Sequence, residues 1–264
     1  MTLTARDLAL AYDGRRVIDG LDVRIPPGAV TVVVGPNGCG KSTLLRGLAR
    51  LLRPMAGSVT LGGRDVWSLR PRQFARQVAL LPQSPPVPEG ITVVDLVGRG
   101  RHPHRGPLTR WREVDDVVVA RAMAATDTVE LADRHVEELS GGQRQRVWIA
   151  LTLAQDTDII LLDEPTTYLD VAHQIDVLTL LHGLNRERGT TIVMVLHDLN
   201  LAARYGDHII AMRAGRIVAE GTPHEVVDEA AVQAVFGLES RVFTDPFSAT
   251  PFVVPATRTS GVAS

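Results

Sequence analysis

Hydrophobic and polar positions divide the chain into strand patterns and helix patterns. Apolar and polar residues alternate over residues 3–34, with breaks at Asp13-Gly14 and Pro26-Pro27-Gly28, which predicts short antiparallel strands. Nearly continuous apolar runs, whose polar members are all threonines, occur at 30–34, 159–162 and 190–196. Runs of this kind are typical of parallel strands that are buried on both faces. The chain therefore combines an antiparallel N-terminal part with a parallel sheet.

Helical periodicity dominates the middle of the chain. A proline-dense breaker at 84–90 precedes a segment, 93–138, with apolar residues at helical spacing, which predicts an inserted helical subdomain over about 84–155. Further helices are expected at 147–154, 171–187, 199–205 and 228–236. We assign 1–240 to one domain and 241–264, where Pro, Ser and Thr dominate, to a partly disordered C-terminal extension.

Composition narrows the class of protein. The 264 residues are 45% hydrophobic, which is enough to bury one large domain with an insertion. No apolar run reaches the roughly 18 residues of a membrane span, and no signal-peptide layout opens the chain, so we expect any membrane role to be peripheral. The net charge of -2 argues against a nucleic-acid partner. The single cysteine, Cys39, excludes an intrachain disulfide and suits a reducing cytosol.

A glycine-rich loop follows the first continuous apolar run. Its residues match the pattern G-x-x-x-x-G-K-[ST] between a strand and a helix: Gly35, Pro36, Asn37, Gly38, Cys39, Gly40, Lys41, Ser42 and Thr43. Glycines let backbone N–H groups surround a phosphate, Lys41 reaches the β- and γ-phosphates, and Ser42 is placed to bind Mg²⁺. Lys41 is the only lysine beside 27 arginines, which indicates that a compact ammonium is required there. We interpret Cys39 as a small side chain that fits the loop rather than as a redox switch.

Three later segments carry further candidate chemistry. Ser140 and the glycines after it open a helix and provide a second anion-binding helix end. Asp163 and Glu164 end a buried strand, where one carboxylate suits a metal ion and the next suits activation of water. His197 ends another strand at the same expected edge of the sheet, so a role in sensing the γ-phosphate or orienting water stands beside a purely structural one.

With these motifs in this order, residues 3–240 resemble the ATPases of ATP-binding cassette (ABC) transporters. The stretch Leu139-Ser140-Gly141-Gly142-Gln143 is the most diagnostic, because other P-loop classes lack it. The resemblance implies an α/β fold: a P-loop NTPase core, with a mostly parallel sheet and flanking helices, an N-terminal antiparallel β subdomain and an inserted α-helical subdomain. It also implies ATP and Mg²⁺ as cofactors.

The resemblance also assigns roles to individual residues. Tyr12 matches the aromatic that stacks on adenine, and Asp163 matches the acid that holds Mg²⁺. Gln83 matches the glutamine that contacts Mg²⁺ and water and links to the membrane subunit. Glu164 matches the catalytic base and His197 the switch histidine. The stretch that binds the γ-phosphate of ATP held by the opposite subunit corresponds to Ser140, Gly141, Gly142 and Gln143. Asp170 matches the aspartate that crosses between subunits.

A narrower resemblance concerns the importers of ferric siderophores. Residues 96–104, 143–150, 163–170 and 195–200 are similar to their ATPases, with cobalamin and haem importers as near neighbours. The implied protein is a peripheral ATPase on the cytoplasmic face of the membrane. It works as a homodimer on a polytopic permease and, indirectly, with a substrate-binding protein. Tyr168 stands where many transporter ATPases have a small residue, but an aromatic is ordinary in this subgroup.

Other functions are open to such a chain. A soluble ABC ATPase acting on nucleic acid is disfavoured by the short insertion and the absence of a basic patch, and one of iron–sulfur assembly by residues 96–104. A binding module with a dead site conflicts with Glu164 and His197. An iron site at His102-Pro103-His104 lacks further ligands.

Overall fold

The computed structural model describes residues 1–87, 89–106, 111–167 and 169–256. Its strands, in chain order, are β1 (Leu3–Tyr12), β2 (Arg15–Arg24), β3 (Val30–Val34), β4 (Ala56–Leu61), β5 (Arg64–Asp65), β6 (Val78–Leu81), β7 (Ile159–Asp163), β8 (Thr191–Val195), β9 (His208–Arg213), β10 (Arg216–Gly221), β11 (Ser240–Thr244) and β12 (Pro251–Pro255). Its α-helices are α1 (Lys41–Leu48), α2 (Pro71–Ala75), α3 (Val93–Gly98), α4 (Glu113–Ala125), α5 (Gly141–Ala154), α6 (Val171–Arg188), α7 (Leu199–Tyr205), α8 (Pro223–Val226) and α9 (Glu229–Phe236).

A six-stranded sheet with the order β10-β9-β3-β8-β7-β6 forms the centre of the molecule. Strands β9, β3, β8, β7 and β6 are parallel, and β10 pairs antiparallel with β9 at the edge. Every residue of β3, β7 and β8 is buried, as their continuous apolar sequences require. The predicted mostly parallel sheet is thereby confirmed.

The predicted antiparallel subdomain is a second sheet with the order β2-β1-β4-β5. Its apolar side chains, including Leu8, Leu10 and Ile18, pack with Leu44 and Leu45 of α1 against one face of the central sheet. The other face of the central sheet packs against helices α3–α9 in a separate apolar cluster. Helix α1 is thus held between two layers, and its first residue, Lys41, is buried.

The inserted segment contains helices α3, α4 and α5, which pack on one another. The predicted helical character of 93–138 is therefore confirmed. The bounds of the domain (1–240) and of the inserted subdomain (84–155) stay predictions. Arg101 and Asp115 form a buried ion pair between Nε and Oδ1 at 3.0 Å, with side chains 6% and 0% exposed. Arg101 Nη1 also donates to the carbonyl of Ala154 at 3.0 Å, so one guanidinium joins α4 to the end of α5.

We expect Asp115→Ala to destabilise the protein by about 3–5 kcal/mol, because it leaves the Arg101 charge buried without its partner. Burial alone would raise the pKa of Asp115, but the Arg101 hydrogen bond lowers it, so the carboxylate is ionised in the folded protein. Urea unfolding measures the loss. The control is Asp19→Ala, which removes the exposed Arg16–Asp19 pair and should cost less than about 1 kcal/mol. Equal midpoints for the two variants would contradict the prediction.

The C-terminal extension contains a β-hairpin that the sequence analysis did not predict. Strands β11 and β12 pair antiparallel, with Val242 opposite Val253. Val253 is buried in the main core, and Val242 packs against it. Residues 257–264 lie outside the described residues. Within the described part of the chain, no helix combines the length and apolarity needed to cross a membrane.

Candidate functional site

Four groups of predicted site residues lie at the carboxyl ends of four neighbouring parallel strands. Across the sheet in the order β3, β8, β7, β6, these ends lead into the glycine-rich loop, His197, the Asp163-Glu164 pair and Gln83. The register aligns them, because Val195 lies beside both Val33 and Asp163. This edge of an open α/β sheet is where ligands bind.

The glycine-rich loop owes its shape to left-handed glycines. Gly35, Gly38 and Gly40 have φ values of 148°, 73° and 109°, which favour glycine over other residues. A Cβ on Gly35 would lie 2.2 Å from the Met212 carbonyl oxygen, so no larger residue fits. Lys41 Nζ donates to the carbonyl oxygens of Gly35 at 2.8 Å and Pro36 at 3.0 Å. The ammonium is therefore held at the loop, beside the start of α1.

The remaining loop residues differ in exposure. Asn37 and Gly38 are exposed, Pro36 is half-buried, and Cys39 and Thr43 are buried. Burial raises the pKa of the Cys39 thiol, although the nearby Lys41 charge opposes the shift. A protonated, buried thiol is a poor nucleophile, which agrees with its interpretation as a small side chain that fits the loop.

Ser42 and Asp163 come together across 121 residues of sequence. Ser42 Oγ donates to Asp163 Oδ1 at 2.8 Å, and Asp163 is 2% exposed. Burial raises the pKa of Asp163, and the hydrogen bond from Ser42 opposes the shift. A hydroxyl and a buried carboxylate beside a phosphate loop are the oxygen donors that Mg²⁺ uses, so the residues present fit this ion.

Glu164 receives hydrogen bonds from three directions. Gln83 Nε2 lies 2.8 Å from Glu164 Oε2, Thr167 Oγ1 lies 3.1 Å from the same oxygen, and His197 Nε2 lies 2.8 Å from Oε1. The backbone of Glu164 is left-handed, with φ 56°, which is uncommon for a residue with a side chain. Such conformations concentrate at functional sites. The turn therefore directs a carboxylate to a fixed place beside the phosphate loop.

The charge state of Glu164 follows from these contacts. Burial alone would raise its pKa, but the hydrogen bonds from His197, Thr167 and Gln83 lower it below the usual value. The carboxylate is therefore ionised at neutral pH and able to accept a proton. Its half-exposed neighbour His197 leaves the site open to solvent on that side.

Tyr12 borders a groove that reaches the phosphate loop. The groove is lined by Tyr12, Arg15, Gly38 and Gly215, among others, and Tyr12 is 37% exposed. Arg46 Nη1 donates to the Tyr12 hydroxyl at 3.1 Å, which fixes the ring beside α1. An exposed aromatic next to a phosphate loop offers a stacking surface for a base.

The diagnostic stretch lies at the start of α5. Ser140 Oγ accepts from Gln143 N at 3.3 Å, and Gln143 Oε1 accepts from Ser140 N at 3.1 Å, which forms a capping box. Ser140 and Gly141 are exposed and Gly142 is half-buried. Among the hydrogen bonds of the described residues, none joins this stretch to the phosphate loop of the same chain. The start of α5, which the sequence predicts to bind an anion, is therefore exposed in the single chain.

Asp170 and His104 each contact one end of a helix. Asp170 caps α6 by accepting from His173 N at 2.9 Å, and it also contacts His173 Nδ1 at 2.7 Å. Its predicted crossing to another subunit stays a prediction. Tyr168 lies outside the described residues. His104 Nε2 contacts the Gln155 carbonyl at 2.7 Å, so this ring is engaged with the end of α5.

Sequence reasoning missed two residues that position Glu164. Thr167 donates to its carboxylate, as described above. Gln145 Nε2 donates to the carbonyl of Pro165 at 2.8 Å and ties α5 to the turn. A hydroxyl three residues after a carboxylate across a proline turn is a local signal that could have pointed to Thr167. The Gln145 contact has no local signal, since it spans 20 residues.

A family model described as ABC transporter matches residues 18–167. The achromobactin transport ATP-binding protein of Dickeya dadantii is 54% identical over 96% of this chain and 94% of its own length. The ferric enterobactin transport ATP-binding protein of Escherichia coli is 51% identical over 98% of this chain and 95% of its own length. A cobalamin import ATP-binding protein of Halobacterium salinarum is 42% identical over 100% of this chain and 66% of its own length.

Solved structures give the same picture of the fold. A metal-chelate type ABC transporter in an inward-facing conformation superposes with a TM-score of 0.83 and 28% identity, covering 98% of both chains. A dimeric ATP-binding cassette in a post-hydrolysis state with ADP and Pi superposes with a TM-score of 0.75 and 27% identity, covering 83% of this chain and 98% of that one. The predicted P-loop NTPase fold is therefore confirmed.

Proposed function

This chain belongs to the ABC transporter family of ATP-binding proteins, and we propose that it is the ATP-hydrolysing subunit of an importer of ferric siderophores. Members of this family are ATPases coupled to transport. The proposal of ATP hydrolysis rests on the ionised Glu164 carboxylate, which Gln83, Thr167 and His197 hold beside the phosphate loop. The proposed cargo rests on the 51–54% identity to siderophore transport proteins over nearly the whole chain.

Each of the predicted site residues has a role in ATP hydrolysis. The loop N–H groups and Lys41 bind the β- and γ-phosphates, and the Tyr12 ring stacks on adenine. Glu164 accepts a proton from water as that water attacks the γ-phosphate in line. His197 orients the Glu164 carboxylate through its 2.8 Å contact and lies where charge develops. Gln83 holds the other oxygen of the same carboxylate at 2.8 Å.

Ser42 and Asp163 are the residues that would hold Mg²⁺, with Gln83 nearby. When bound, this ion neutralises charge on the phosphate oxygens. Asp163 suits that task because burial raises its pKa and so disfavours a charged carboxylate without a cation. The Ser42 hydroxyl, now donating to Asp163, would turn a lone pair toward the metal.

A second copy of the chain completes the site. The outward-facing stretch Ser140, Gly141, Gly142 and Gln143 binds the γ-phosphate of the ATP on the opposite subunit, and Asp170 contacts that subunit. Support comes from the exposure of this helix end and from the dimeric cassette with a similar fold. Two chains therefore enclose two ATP molecules.

The cargo itself does not touch this subunit. We place the protein on the cytoplasmic face of the membrane, bound to a polytopic permease that receives its complex from a substrate-binding protein. The region of Gln83 and the inserted helices α3–α5 would transmit closure to the permease. The cobalamin relative is less similar, at 42% identity, so a siderophore is the favoured cargo.

Uptake of radio-iron tests this function. In a strain that lacks the gene, the wild-type chain should restore uptake of labelled ferric catecholate or ferric hydroxamate, and Glu164→Gln should not, because hydrolysis drives transport. The chain should also copurify with a polytopic membrane protein. Restored uptake of labelled cobalamin, with no effect on either iron complex, would contradict the siderophore assignment and leave the ATPase assignment standing.

A further inference from the structure

One side chain of α7, Asn200, pairs with the C-terminal hairpin through both ends of its amide. Asn200 Nδ2 donates to the Val253 carbonyl at 3.1 Å, and Val253 N donates to Asn200 Oδ1 at 2.7 Å. Strand β11 occupies one edge of β12, and the Asn200 amide pairs with β12 as a neighbouring peptide would. No feature of ATP binding or hydrolysis described above uses this contact.

Asn200 lies close in sequence to the catalytic edge. Strand β8 ends at Val195 and α7 begins at Leu199, so only residues 196–198 connect them. Leu196 N donates to the Val33 carbonyl at 3.2 Å, and Asp198 Oδ1 caps α7 by accepting from Asn200 N at 2.8 Å. His197 stands between these two anchors. Because this three-residue link is hydrogen-bonded at both ends, we expect a shift of the first turn of α7 to move His197.

Among the side-chain hydrogen bonds and ion pairs of the described residues, the His197 ring takes part in one, with Glu164. Its side chain is 47% exposed, and its ion-pair contact is with Glu164 at 2.8 Å. An exposed ring keeps such a geometry only if its backbone is fixed, and the first turn of α7 supplies one of the two fixed ends. Asn200, through Val253, locks that turn against a hairpin that is itself packed on the core.

We propose that Asn200 is a positioning residue for ATP hydrolysis: its amide locks the start of α7 to the C-terminal hairpin and so keeps His197 on Glu164. The hairpin is thereby a part of the catalytic scaffold. This inference rests on the proposed role of His197 at Glu164. Its distinguishing signature is a loss in turnover without a loss in ATP binding, because Asn200 lies outside the phosphate loop.

Steady-state hydrolysis by the full chain, in complex with its permease, tests this role. Asn200→Ala should lower kcat about three- to tenfold, as expected when one or two ordinary hydrogen bonds to a catalytic group's support are lost, with KM for ATP unchanged. The number of ATP-binding sites, titrated by calorimetry, corrects each rate for unfolded protein. The matched control is Arg241→Ala, which cuts the exposed ion pair between the hairpin and Glu229 and should leave both constants unchanged.

A double-mutant cycle with His197→Ala tests whether Asn200 acts through His197. If Asn200 acts through His197, Asn200→Ala should cause no further loss in the His197→Ala background. An equal loss in both backgrounds, an equal loss in Arg241→Ala, or no loss at all would overturn the inference. Wild-type turnover in His197→Ala would remove the proposed role of His197 and the inference together. Loss in His197→Ala without any effect of Asn200→Ala would remove the inference alone.

Discussion

Replacing Glu164 with glutamine is expected to reduce ATP turnover by about a hundred- to ten-thousand-fold, the usual contribution of a general base. The amide has nearly the same shape, but it cannot accept the proton of the attacking water. Its oxygen can still accept from Gln83 and Thr167, and its NH2 group can donate to a neutral His197, so the hydrogen bonds around it survive. The variant should therefore bind ATP normally and accumulate in the ATP-bound state.

Phosphate release and calorimetric ATP binding measure the two quantities separately. Glu187→Gln, an exposed change of the same kind on α6, is the matched control and should keep the wild-type rate. With hydrolysis blocked, ATP should also shift the Glu164→Gln variant toward a dimer in size-exclusion chromatography. Turnover within tenfold of the wild type would show that another group accepts the proton.

Replacing Lys41 with alanine should weaken ATP binding by about ten- to a hundredfold, since a hydrogen bond to a charged group contributes about 1.5–3 kcal/mol. Lys41 is 5% exposed and its ammonium contacts the Gly35 and Pro36 carbonyl oxygens, so it is already held at the place where phosphates bind. Lys41→Arg should not restore affinity, because a planar guanidinium is too large for the loop.

Isothermal calorimetry with ATP gives the dissociation constants of both variants. The matched control is Arg6→Ala, which removes an exposed positive charge from β1 and should leave affinity unchanged. Thermal unfolding of each variant separates a loss of affinity from a loss of folded protein. An unchanged dissociation constant for Lys41→Ala would contradict the assignment of the phosphate site.

Much of the fold could be predicted from local patterns of apolar and polar residues. Continuous apolar runs identified β3, β7 and β8, because a strand covered on both faces needs no polar side. The helix α7 has the predicted bounds of 199–205. The C-terminal hairpin was missed because its outward residues, such as Phe243 at 58% exposure, break the usual alternation of apolar and polar positions.

The sequence alone also predicted which residues carry chemistry. A phosphate loop, a buried strand that ends in two carboxylates and a histidine after another strand are each recognisable within about ten residues, because each requires a specific backbone or side chain at a fixed spacing. The family and the ATPase activity followed from their order along the chain, and both are confirmed.

Only the tertiary structure decided how those pieces meet. In sequence Gln83 precedes Asp163, Glu164 and His197, whereas across the sheet it lies at the far end from the phosphate loop. Ser42 and Asp163 are 121 residues apart and Gln83 and Glu164 are 81 apart, yet each pair is within 2.8 Å. Strand order and register set these distances, and they depend on which long-range pairings bury the most apolar surface. The contact of Gln145 with the Pro165 carbonyl and the pairing of Asn200 with Val253 are consequences of that packing, and no local pattern encodes them.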